Sequence, residues 1–183
     1  MIKFGLKGIF KDYSVMDFGK DLILPLAVTC VLTPIMLMSN KSPYICLMEI
    51  LNFGIIVVPI LITLILTAYV LLLSMFGSTL KEFCASESGN DLHKKLNSGF
   101  AANLTISILS LVGVFIGTFI AKMEFYSDYA DIINQIAYAV YVLLVAYPIF
   151  SLFGITIDLF NVGQVTRIKR VLLIYYISIH HSK

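Results

Sequence analysis

Charge is scarce in this sequence, and so are the residues that usually carry chemistry. Asp, Glu, Lys and Arg make up 13% of the 183 residues, where soluble domains carry about 25%. Cys30, Cys46 and Cys84 are scattered, odd in number and without metal-ligand spacing, so they read as packing residues or free thiols. His93, His180 and His181 lie outside the long apolar runs. No HExxH, no GxSxG and no glycine-rich loop ending in Lys-Ser/Thr occurs; the commonest metallohydrolase, serine-hydrolase and P-loop signatures are therefore missing. Asp128 and Asp131 read as a solvated turn rather than a catalytic pair. No catalysis, metal or cofactor is expected.

What the chain has is apolar length. Hydrophobic residues reach 59%, and mean hydropathy is +0.93. Uncharged runs cover Leu22–Asn40, Ile50–Leu80, Leu96–Ala121 and Ile132–Ile157. Crossing about 30 Å of hydrocarbon takes roughly 20 such residues in a helix. The runs are continuous rather than alternating, which excludes strands of a membrane barrel. The fold expected is an all-α membrane protein with four transmembrane helices arranged as two hairpins. Their ranges are 22–39, 46–76, 99–121 and 132–157, with a loop at 77–98 and a basic tail at 158–183.

Lysine and arginine placement orients these spans, because cytoplasmic flanks retain cations. Lys3, Lys7, Lys11 and Lys20 precede the first span; Lys81, Lys94 and Lys95 fill the central loop; Arg167, Lys169, Arg170 and Lys183 occupy the tail. The two remaining turns hold only Lys41 and Lys122. Both termini and the central loop are thereby assigned to the cytoplasm of a cell with an inner membrane. No small-residue cleavage motif follows the first span, so a cleaved signal peptide is not expected. No internal repeat is evident, which removes support for an inverted-repeat transporter.

Residues 1–21 suggest an amphipathic interfacial helix, with Lys3, Lys7 and Lys11 on one face and Ile2, Leu6, Ile9, Phe10 and Tyr13 on another. In the central loop, Thr79 and Glu82 have capping-box spacing. "SESGND" is expected to break the helix, and Asp91 to cap the third span. The tail segment Val171–Ile179 is too short to cross and is expected to lie along the inner leaflet.

Helical geometry, at about 100° per residue, sorts the polar groups inside the spans. In the second helix, Glu49, Asn52, Pro59, Thr63, Thr67, Ser74 and Gly77 fall in one wedge. Glu49, Asn52, Thr63, Thr67 and Ser74 are candidate pore-lining residues, since such groups gain nothing from lipid. The bland alternative is packing, with hydroxyls bonded to their own helix. In the third helix, Gly99, Asn103, Ser107, Ser110, Gly113 and Gly117 share a face containing a small-xxx-small motif. Asn103, Ser110, Gly113 and Gly117 are candidates for helix packing and oligomer contacts. Asn134, Tyr138, Tyr141, Val145 and Pro148 align on the fourth. No charge lies deep in a span; Asp158, nearest to doing so, has Arg167, Lys169 and Arg170 as pairing candidates. A proton-coupled pump is disfavoured.

Lys81, His93, Lys94, Lys95, Arg167, Lys169 and Arg170 form a basic cytoplasmic surface suited to an anionic ligand such as a nucleotide or oligonucleotide. Positive-inside topology accounts for the same cations without a ligand. The four-span layout, the "KEFCASESGNDLHKK" loop and the "RIKR" tail resemble the small multi-pass membrane effectors of bacterial antiphage defence, the Hailong-type gated channel among them. That resemblance implies an oligomer that compromises the inner membrane when a cytoplasmic signal changes, and it transfers no individual residue. The expected function is a homo-oligomeric gated pore or membrane-perturbing effector. The alternative is a non-conducting accessory subunit whose polar stripes bind a partner membrane subunit.

Overall fold

The structure is a computed structural model. It describes the backbone over residues 13–78, 87–123 and 128–181, and side chains within residues 13–74, 93–123 and 128–164 except that of Val15. It is helical throughout, with no strand among the described residues. Four helices are present: α1 (Val15–Leu37), α2 (Pro43–Ser78), α3 (Glu87–Ala121) and α4 (Ala130–His181). Each contains a stretch long and apolar enough to cross a membrane: Met16–Leu37, Pro43–Ser74, His93–Ala121 and Ala130–Gln164. The chain is thus a multi-pass membrane protein by length and composition. The expected interfacial helix and the Thr79/Glu82 capping box fall mostly or wholly outside the described residues.

Helix ends differ from those read off the apolar runs. α1 starts seven residues before Leu22 because Ser14 and Asp17 form a capping box. The Asp17 amide donates to Ser14 Oγ at 3.2 Å and the Ser14 amide to Asp17 Oδ2 at 3.2 Å, satisfying donors a helix start leaves unpaired. Residues 15–21 therefore belong to the first membrane helix rather than to a separate interfacial one.

The stretch "ESGND" does not break the chain but opens α3. Asp91 lies inside that helix and is not its cap, and much of the expected 77–98 loop is helical. One glycine costs a helix about 1 kcal/mol, too little to interrupt 35 residues anchored by a packed apolar half. α4 likewise does not stop near Ile157. It runs for 52 residues, about 78 Å, and the segment Val171–Ile179 continues it. After Gly163 no glycine or proline occurs to end it.

Packing is uneven. α2, α3 and α4 form a bundle, while α1 lies outside it, against α4, and barely meets α2. The first two helices share a short turn yet do not pack as a hairpin; α4 takes the position a hairpin partner would have.

The seam of α2 is regular: Leu51, Val58, Ile65 and Leu72 recur every seventh residue, and all are fully or almost fully buried. A heptad of this kind is how two helices keep one face together. Gly54 lies between the first two, where a Cβ would come within 2.7 Å of Val145 Cγ2. Two apolar clusters result. Leu47, Leu51, Val58, Val114 and Val145 fill the end nearer the short turns. Ile65, Leu72, Phe100, Ile155 and Val162 fill the end nearer the central loop.

Candidate functional site

The polar groups of α2 stay on the surface of the chain. Glu49, Asn52, Thr63, Thr67 and Ser74 are all exposed, opposite the heptad seam. They extend over 25 residue steps, about 38 Å along the axis. Ile56 and Val70 interrupt the stripe and are equally exposed, and Pro59 is half-buried.

The hydroxyls have helix partners. Thr63 Oγ1 donates to the Pro59 carbonyl at 3.0 Å and Thr67 Oγ1 to the Thr63 carbonyl at 2.8 Å. Each threonine oxygen keeps lone pairs free to accept from water or from another chain. At the turn end, Lys41 Nζ donates to Glu49 Oε1 at 2.6 Å. That carboxylate pushes the Lys41 ammonium above its ordinary range.

The small-residue stripe of α3 has the opposite fate. Asn103, Ser107 and Ser110 are buried, Gly117 is buried and Gly113 half-buried. Ser107 Oγ donates to the Asn103 carbonyl at 2.8 Å, and Tyr147 OH donates to Asn103 Oδ1 at 2.7 Å. A Cβ at Gly113 would lie 3.1 Å from Leu144 Cδ1, and one at Gly117 would overlap the Tyr141 ring. These residues join α3 to the other helices of the same chain. They are turned inward, so an oligomer contact through them, one of the roles read from the small-xxx-small motif, is corrected to packing within the subunit.

Of the basic residues, Lys94 and Lys95 are exposed and His93 is half-buried. Lys81 lies outside the described residues. Arg167, Lys169 and Arg170 belong to the continuation of α4, and their side chains lie outside those described. Lys95 does not face open solvent alone: it borders a cavity it shares with three carboxylates.

That cavity is the feature the sequence did not reveal. It has a volume of about 290 Å³ and is bordered by Tyr13 just before α1, Asp17 and Asp21 from the start of α1, Lys95 and Asn103 from α3, and Asp158 from α4. Tyr13 OH donates to Asp21 Oδ2 at 2.5 Å. Burial, and then this bond to a carboxylate, push the Tyr13 hydroxyl well above the usual phenol range. Phe18 rests against Tyr147 with ring centroids 6.2 Å apart, which ties the same part of α1 to α4. Asp158, half-buried, has no hydrogen bond or ion pair among the described residues.

The available signal was Asp17 and Asp21 at the start of one apolar helix and Asp158 late in another. Among the described residues, no group of three or more His, Cys, Asp and Glu side chains is placed to hold a metal ion. No family, curated protein or solved structure matches the chain.

Proposed function

We propose that copies of this chain assemble in the inner (plasma) membrane as a gated pore, with both termini cytoplasmic and the exposed face of α2 turned toward a water-filled axis. One observation carries the reading: α3 spends its polar groups inside the subunit, whereas α2 keeps Glu49, Asn52, Thr63, Thr67 and Ser74 outside it. A lone chain would present that stripe to lipid, where an amide and a carboxylate are costly. A ring of copies removes the cost by giving the stripe water and neighbouring helices. The buried α3 stripe leaves the flanks of α2 as the natural subunit contacts.

Control would come from the basic end. Lys94, Lys95 and the "RIKR" segment of α4 supply cations for an anionic ligand such as a nucleotide or oligonucleotide, Lys95 beside the carboxylates of the cavity. The biological role is that of a small membrane effector that depolarises the cell on a signal, as in antiphage defence.

The internal bonds of Thr63 and Thr67 favour a second reading, a non-conducting subunit whose stripe packs dry against a partner membrane protein. Membrane-potential dye fluorescence during induced expression separates the two. Wild type depolarises and Thr63→Leu with Thr67→Leu does not, at equal protein level and with the oligomer intact. If instead that double variant sheds a co-purifying membrane partner and neither protein alters ion flux, the second reading stands and the pore is lost.

A further inference from the structure

α1 and α2 follow one another through a short turn yet barely meet. The gap left near that turn is a cavity of about 350 Å³ bordered by α1, α2 and α4, within the size range of small-molecule sites. Leu32, Ile35 and Met36 of α1 and Ile50 and Phe53 of α2 give it apolar walls. Ile35 and Phe53 are exposed, so those walls run out onto the face the chain turns to lipid.

The same cavity carries both signs of charge. Lys41 and Glu49 border it, with the Lys41 ammonium donating to Glu49 Oε1 at 2.6 Å. Glu49 lies about 9 Å along the helix axis from Pro43 and inside the apolar span Pro43–Ser74. The ion pair is thus drawn from the turn toward the hydrocarbon, where charges are costly unless something polar matches them. Neither group is saturated. The two side chains are 54% and 58% exposed, the ammonium has three donors, and the carboxylate has two accepting oxygens. Ser39 borders the cavity too; its Oγ accepts from the Lys41 amide at 3.2 Å, and its own hydroxyl can still donate. Half-buried Tyr138 of α4 is the remaining polar group there, and its hydroxyl has no hydrogen-bond partner among the described residues.

We infer that this cavity is a binding site for a phospholipid of the ethanolamine type, its headgroup between Lys41 and Glu49 and one acyl chain along Ile35 and Phe53. The chemistry is complementary at both ends of that headgroup. The phosphate accepts from the Lys41 ammonium and from the Ser39 and Tyr138 hydroxyls. The primary ammonium donates to the Glu49 carboxylate, and bonds of this charge-assisted kind are the strong ones. A choline headgroup has no N–H to give Glu49, and a glycerol headgroup brings a net negative charge beside it. The apolar walls favour a lipid over a free polar solute, because an acyl chain covers them while the headgroup reaches the charges. A lipid seated there joins α1 to α2 across the gap their turn leaves. The site belongs to a single subunit and holds whether or not the protein conducts.

The test is native mass spectrometry of the full chain released from nanodiscs that hold ethanolamine, choline and glycerol phospholipids in equal amounts with the same acyl chains. Wild type keeps an ethanolamine lipid about tenfold or more over either competitor, the discrimination a hydrogen bond to a charged group carries. Glu49→Gln brings ethanolamine and choline lipids to equal retention, and Lys41→Gln lowers retention of all three. Both residues are exposed, so neither substitution endangers the fold. Lipids retained in equal proportion by wild type overturn the inference, as does an ethanolamine preference that survives Glu49→Gln. An equal effect of Lys122→Gln, at an exposed lysine on the other short turn, overturns it as well. So does a lipid-free dimer that Glu49→Gln dissociates, which would give the cavity to a second copy.

Discussion

Glycines on α3 that look alike in sequence have different surroundings, and replacing each by alanine measures how closely the helices approach. Around Gly99 nothing lies within 4 Å of an added Cβ. Gly99→Ala therefore adds only helix preference and stabilises by about 0.5–1 kcal/mol. At Gly117 the added methyl overlaps the ring of Tyr141, and Tyr141 is itself packed against the cluster around Leu51 and Val58. Overpacking of this kind costs about 1–3 kcal/mol. Subtracting the helix gain of about 0.5–1 kcal/mol leaves Gly117→Ala destabilising by up to about 2.5 kcal/mol.

The cost has a definite owner. In the background of Tyr141→Ala the added methyl has room, so Gly117→Ala becomes neutral or stabilising, a coupling of at least about 1 kcal/mol between the two sites. Reversible unfolding in mixed micelles, followed by circular dichroism as the SDS fraction rises, reads these differences. Damage by Gly99→Ala equal to that of Gly117→Ala, or a Gly117 cost that persists unchanged without the Tyr141 ring, would refute a close approach of α3 and α4 at Gly117.

Other expectations can be checked alongside. Tyr147→Phe strands the buried Asn103 Oδ1 and lowers stability by about 0.6–1.7 kcal/mol, while Tyr147→Phe with Asn103→Leu recovers part of that loss in the same micelle assay. Lys41→Gln removes the cation from Glu49; the fold is little affected because both groups are exposed, and the reversal potential under a salt gradient shifts toward cation selectivity. An unchanged potential would take Glu49 away from the mouth of the pore. Gly54→Ala drives a methyl into Val145 and Val114, so it loses about 1–3 kcal/mol and is relieved by Val145→Ala, as read by the unfolding midpoint.

The four spans were legible because uncharged runs of this length have few other uses. Their ends were not, since helices continue past the membrane wherever nothing stops them. Ser14 and Asp17 show a capping signal in plain sequence, yet it lies upstream of the apolar run and was absorbed into an interfacial helix. The heptad Leu51, Val58, Ile65, Leu72 was hidden for a different reason. α2 is apolar almost all round, so periodicity of hydrophobicity could not tell the seam from the lipid face. The wedge from Glu49 to Ser74 was visible as a pattern of polar residues, but its exposure depends on where α3 and α4 pack. The cavity that Asp21 and Asp158 both border is purely tertiary: the two lie on helices that no local rule brings together, and a short turn between α1 and α2 suggested a different neighbour for α1.

Water at the α2 stripe is the central claim, and cysteine modification under voltage clamp tests it directly. The purified protein, free of its native cysteines, is placed in a planar bilayer with Thr63→Cys or Thr67→Cys, and a membrane-impermeant cationic thiosulfonate is added during current recording. Leu109→Cys, on the exposed apolar surface of α3, serves as the lipid-facing control. A water-lined α2 stripe gives rapid, irreversible loss of current at both threonine positions and none at Leu109→Cys. Current that persists after the reagent at both threonine positions, or that falls equally in the control, would contradict it.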